Sequence, residues 1–178
     1  CSALLVGSPP EAPFVRRWIE EIRASGDPAL RDVPILVRPH PARVQEWRDV
    51  DLSDLPNVAR YGSMPLDERA REDYFESLVY SAAVVGLNTS AFLEAAVVGR
   101  PVHTIVLPQF QENQEGTIHF HYLLTAGGGL LQVARDFDAH RVLLAAALRE
   151  PDGLGGPGPG GNARFVEGFI RPDRLGRS

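Results

Sequence analysis

Short apolar runs alternate with amphipathic stretches along almost the whole chain, and this alternation restricts the fold more than any other feature. Ala3-Leu4-Leu5-Val6 reads as a buried strand ending at Gly7-Ser8. Pro9-Pro10 introduce a helix predicted over 11–25, with Phe14, Trp18, Ile19 and Ile22 at helical spacing and Gly26 as its stop. Strands are predicted at 34–37 and 58–61, then a helix at 66–81 with Tyr74, Leu78 and Val79 inward. A strand at 83–87 leads through Asn88-Thr89-Ser90, an N-cap, into a short helix at 91–98. A strand at 101–107, a polar loop at 108–116, an aromatic segment at 118–124, a strand at 130–133 and a helix at 137–149 complete the pattern. The expectation is an α/β fold: a doubly wound parallel sheet, a Rossmann-like three-layer sandwich over 1–150. The stretch 151–161 is nearly all Gly and Pro and reads as a flexible linker; 162–178 reads as a short helix and a polar tail.

Composition narrows the chemistry. At 178 residues and 44% hydrophobic, the chain suits one ordinary domain with a real core. Its net charge of −5 argues against a nucleic-acid partner, which needs a basic face. All 18 basic residues are Arg, so neither Schiff-base nor P-loop lysine chemistry is open to it. The single Cys1 excludes an internal disulfide framework and a Cys-based zinc site and reads as incidental. No stretch reaches the roughly 18 uninterrupted apolar residues of a membrane span. No basic n-region opens the chain, so a soluble cytoplasmic protein is the expectation. There is no G-x-G-x-x-G after the first strand, no Walker A motif and no G-x-S-x-G elbow. Asp49, Asp51 and Asp54 match no calcium loop and read as solvated. His119 and His121 diverge on a helix, so no metal is expected; His103 reads as core and His140 as surface.

Strands of such a sheet deliver ligands at their carboxyl ends, where three polar clusters fall. Arg38-Pro39-His40-Pro41 follows the second strand; the prolines stiffen the turn, Arg38 suits a phosphate fork and His40 a further donor. The plainer alternative is a rigid turn with a solvated arginine. Asn88, Thr89 and Ser90 open a helix whose N-terminus and hydroxyls suit phosphate, with Glu94 a turn later to accept two hydrogen bonds from a ribose diol. Its alternative is a capping box, although Ser90 to Glu94 is one residue too long for the standard form. In 108–117, six of ten residues carry amide or carboxylate groups, among them Gln111, Glu112, Asn113 and Gln114. That density suits sugar hydroxyls; a bland solvated loop is the other reading.

Taken together, Arg-Pro-His-Pro after a strand, then "GLNTSAFLEAAVVGRPV", then a polar loop after the next strand resemble the carboxyl-terminal half of a GT-B glycosyltransferase. Nucleotide-sugar 2-epimerases and the glycerophosphotransferases of capsule and teichoic-acid synthesis show similar patterns. The likeness covers about 2–170 and is most specific over 88–102. It implies one of two Rossmann-like domains facing across a cleft, binding a nucleotide-diphosphate sugar as substrate without a metal or cofactor, in polysaccharide biosynthesis. By the resemblance, Asn88, Thr89 and Ser90 would contact the diphosphate, Glu94 the ribose, and Arg38 and His40 the base or phosphates. Gln111, Glu112, Asn113 and Gln114 would read the sugar. The acceptor, for which a peripheral membrane molecule is one option, and the general base would belong to a missing amino-terminal Rossmann-like domain. The chain is accordingly expected to be a fragment, inactive alone. Alternatives are an epimerase using Glu112 and Glu115, or a non-catalytic Rossmann-like interaction domain.

Overall fold

The computed structural model describes residues 8–62, 67–150 and 161–171. The expected strand at 3–6, residues 151–160 of the expected linker and the tail from 172 lie outside the described residues. The elements run α1 (Glu11–Arg23), α2 (Pro28–Arg31), β1 (Ile35–Val37), a 3-10 segment (Pro41–Trp47), β2 (Val58–Arg60), α3 (Glu68–Val79), β3 (Val84–Gly86) and α4 (Ala91–Val97). There follow β4 (Val102–Ile105), a 3-10 segment (Pro108–Asn113), α5 (Ile118–Thr125), β5 (Leu131–Ala134), α6 (Phe137–Arg149) and α7 (Gly161–Phe165), which runs on as a π turn (Val166–Ile170).

The fold is α/β with two small parallel sheets, β1-β2 and β3-β4-β5. Ile35 pairs with Val58 in the first; Val84 pairs with Val102, and Val102 with Leu131, in the second. Successive strand residues point to opposite faces. Val84 accordingly joins an apolar cluster built from α3, α4, α5 and α7, whereas Val85 joins another built from α1, α2 and α6. Ile35 of β1 enters the same cluster as Val85, together with Ile22, Leu30, Leu144 and Ala145. One apolar layer therefore spans both sheets. A third cluster, with Ile19, Val37, Trp47 and Leu52, covers β1 and β2.

The helix starts follow ordinary capping chemistry. Asp67 accepts from the Ala70 amide at 2.8 Å, Asp136 from Ala139 at 2.7 Å and Asp27 from Ala29 at 3.0 Å. α4 departs from the expected cap. Ser90 already has helical dihedrals and makes no side-chain cap bond; Thr89 Oγ1 accepts from the Ala91 amide at 3.3 Å instead.

Two further expectations are corrected. The loop at 108–116 is a 3-10 turn through Asn113, because Phe110 is drawn into the interior and winds the chain around it. His140 is fully buried, since it shares the inner face of α6 with Leu144 one turn on. Trp18 Nε1–H donates to its Nε2 at 2.9 Å. His103 is core, as expected. Asp54 binds Arg16 through both carboxylate oxygens, which fastens the acidic loop to α1. Among the described residues no helix is long and apolar enough to cross a membrane.

The segment from Gly161 returns to the body of the fold. Phe165 is fully buried in the α4 cluster, and Asn162 Nδ2 donates to the Arg100 carbonyl at 2.7 Å. Gly127 makes this docking fit. It has φ +58°, and a Cβ there would meet the Arg164 carbonyl oxygen and Phe165 Cα at 2.7 Å. Gly127→Ala is expected to lose about 1–3 kcal/mol by positive-φ strain and this collision. Chemical denaturation measures the loss, and limited proteolysis after Arg164 should accelerate with it. Unchanged stability and cleavage would show that α7 does not depend on this contact.

Candidate functional site

In a parallel sheet the carboxyl ends of the strands share one edge. Leu87-Asn88-Thr89-Ser90 leave β3 and the 3-10 segment leaves β4 on the carboxyl edge of the three-stranded sheet, while Arg38 leaves the carboxyl end of β1 in the two-stranded sheet.

Arg38 is half-buried between two tyrosines. Its guanidinium lies 5.7 Å from the Tyr61 ring centroid and 5.3 Å from that of Tyr74. Its Nη1 makes a long bond to the Asp73 carbonyl at 3.4 Å. Gly62, at φ +127°, leaves space for the group; a Cβ would stand 3.2 Å from the guanidinium carbon. Among the described residues Arg38 has no carboxylate partner. Its fork is held in place by ring faces and remains available to an anion.

His40 is fixed through one of its ring nitrogens. Its Nδ1 accepts from the Ala42 amide at 3.1 Å and so caps the 3-10 segment. Partial burial lowers its basicity from the ordinary histidine range, which favours the neutral ring that can accept this bond. Only Nε2 is left to face a ligand.

Glu94 stands on α4 and receives the Tyr74 hydroxyl on Oε2. Burial, and then the hydrogen bond to Glu94, push the Tyr74 phenol far above its ordinary range, so it remains a donor at every physiological pH. Arg38 and Glu94 are thus joined through one aromatic ring. Sequence reasoning placed Tyr74 inward but assigned it no role, and it missed Tyr61, Gly62 and Asp73. Helical spacing marks Tyr74 as inward-facing; no local pattern links it to Glu94 twenty positions later.

The second and third clusters also meet. Asn88 Nδ2 donates to the Asn113 carbonyl at 2.7 Å and to Thr117 Oγ1 at 3.2 Å. Asn88 Oδ1 and Asn113 Nδ2 are buried and have no partner among the described residues. Gln114 is fully buried, and its Nε2 donates to the Leu87 carbonyl at 3.0 Å, Thr104 Oγ1 at 3.1 Å and the Ile105 carbonyl at 3.1 Å. This amide fastens the loop to the sheet, which corrects its expected role as a reader of sugar. Gln111 and Glu112 are exposed, as is Ser90. Gln111 Nε2 donates to Glu115 at 3.2 Å, and Glu115 pairs with Arg135 at 2.5 Å. Arg135 holds the Glu115 carboxyl below the usual range. Gly116 is needed where the loop folds back, because a Cβ would lie 2.3 Å from the Glu112 carbonyl oxygen.

Among the described residues the arrangement therefore contains a half-buried cation without a counter-ion, a carboxylate with one oxygen unengaged, and a cross-braced amide loop at the ends of β3 and β4. Among the described residues no group of three or more His, Cys, Asp or Glu could hold a metal ion. No protein-family model matches the chain, and no curated protein or solved structure matches it either.

Proposed function

We propose that this chain is the donor-binding domain of a GT-B glycosyltransferase, a doubly wound Rossmann-like sandwich that holds a nucleotide-diphosphate sugar. The observation that carries this reading is the Arg38–Tyr74–Glu94 chain of contacts at the strand ends. Arg38 supplies a fork for the diphosphate, and Glu94 Oε1 accepts from the ribose diol. As the glycosidic bond breaks, negative charge grows on the leaving diphosphate, and a guanidinium already fixed in place stabilises it without reorganising. Ser90, Gln111 and Glu112 are exposed, and this reading assigns them to the phosphates and the sugar. In this reading the acceptor and the general base would be supplied by a second domain. Glu115 is engaged by Arg135 and Gln111, so no specific observation favours the epimerase.

Melting temperature in the presence of UDP, CDP and GDP tests the reading. A nucleotide at one hundred times its Kd is expected to stabilise the fold by about 2.7 kcal/mol. Glu94→Ala and Arg38→Ala should each abolish most of that gain. Silence toward all three nucleotides would sink the proposal and favour a non-catalytic interaction domain.

A further inference from the structure

We propose that Tyr74 is a positioning residue: its ring face holds Arg38 and its hydroxyl holds Glu94, which keeps them from neutralising each other and leaves both open to one ligand. This rests on the donor-binding reading above. The guanidinium lies over the Tyr74 ring face at 5.3 Å, while the hydroxyl of the same ring donates to Glu94 Oε2. Opposite charges so placed attract strongly in a half-buried setting, where water screens them little. Yet Arg38 has no carboxylate partner among the described residues. Tyr74 accounts for this: its face holds the guanidinium while its hydroxyl satisfies one oxygen of the carboxylate. Arg38 is confined from its other side as well. Tyr61 presents its ring at 5.7 Å, Gly62 admits no Cβ without crowding the guanidinium, and Tyr61 is itself tied to Asp73 Oδ2 at 2.9 Å. Asp73 and Tyr74 are consecutive on α3. One helix turn therefore sets both rings that hold the arginine.

The two halves of this role separate under substitution. Tyr74→Phe keeps the ring over the cation and removes only the hydroxyl from Glu94. Tyr74→Leu removes both holds. Calorimetric titration would use pyrophosphate, the UDP, CDP and GDP series and their 2′-deoxy and 3′-deoxy counterparts. Tyr74→Phe is expected to weaken the ribonucleotide about tenfold, the size of one hydrogen bond to a charged group. Its affinity for pyrophosphate should stay within about twofold, as for uncoupled sites, and its preference for ribose over deoxyribose should shrink. Tyr74→Leu should lose pyrophosphate as well, because Arg38 then pairs with Glu94. Adding Glu94→Gln to Tyr74→Leu should restore pyrophosphate binding, a recovery that a merely structural tyrosine would not produce. The inference is overturned if Tyr74→Phe discriminates ribose as the parent does, if it loses pyrophosphate and ribonucleotide equally, or if Glu94→Gln restores nothing. If the parent chain binds neither nucleotide nor pyrophosphate, the donor-binding reading falls and this inference with it; if the parent binds and only the variants disagree, this inference falls alone.

Discussion

Phe92→Ala is expected to lose about 3–5 kcal/mol of stability, the usual consequence of emptying a buried aromatic site. Phe92 is fully buried on α4 and belongs to the cluster that includes Ala95, Ala96, Val102, Phe120 and Phe165. Its ring lies against the end of β3. A Cβ at Gly86 would come within 2.7 Å of Phe92 Cε1, so sheet and ring are fitted with no atom to spare. A small domain has about 5–15 kcal/mol in total, so the loss is a large share of it. The same ring sets the height of α4 over the sheet, and α4 carries Glu94. Urea denaturation should therefore show a much lower midpoint, and any nucleotide-dependent stabilisation should fall with it. Phe92→Leu should recover a large part of the stability, because it refills most of the volume. A loss below about 1 kcal/mol for the alanine variant would mean that the site collapses around the missing ring.

The order of elements could be read from periodicity, since each strand and long helix carries its own apolar signature. The helix at 137–149 has the limits expected of it, helped by Asp136 as a cap. Other boundaries shifted for local reasons: the helix before β3 begins at Glu68 because Asp67 caps it. Short helical turns were harder to foresee. The 3-10 segment at Pro41–Trp47 depends on His40 accepting from Ala42, a bond between a ring and an amide that has no periodic trace.

The candidate site was legible in its parts and illegible in its assembly. Arg38 and Glu94 stood out by residue type at strand ends, but the group that joins them is a tyrosine read as ordinary core. Gln114 looked like its neighbours in a run of amides, and only burial distinguishes it as a fastener of the loop. The reason is physical. A sequence window reports which face of an element a residue occupies, whereas a site is made of contacts between elements. Tyr74 meets Glu94 because α3 is packed on α4, and that packing is set by apolar side chains such as Leu78 of α3 and Phe92 of α4, a pairing of elements that no local window around Glu94 reveals.

Acid is expected to unfold this protein earlier than its carboxylates would require. His103 and His140 are buried against each other, with ring centroids 6.3 Å apart between β4 and α6. Burial lowers each from the ordinary 6.5 to about 4, His103 also feeling the charge of His140. Neither ring nitrogen of His103 has a partner among the described residues, and Nε2 of His140 is occupied as the acceptor of Trp18. The unfolded chain takes up protons on both rings as pH falls through 6.5, while the folded chain resists until about 4. Stability is therefore full above pH 6.5, falls across the window down to about 4, and stops falling on their account below it. At about 1.4 kcal/mol per unit, each ring accounts for up to about 3 kcal/mol. His40, only partly buried, acts in the same direction. The lowered carboxylates Asp32, Asp51, Asp54 and Glu115 exert their effect mostly lower on the scale. Urea midpoints taken in steps from pH 7 to pH 4.5 should show the decline. His103→Leu should flatten it at little loss near neutrality, because the lost ring nitrogens had no partners to forfeit. His140→Phe should flatten it too, but about 1–2 kcal/mol lower throughout, since Trp18 loses its acceptor. A decline of the same steepness in the parent and both variants would refute the assignment to these two rings.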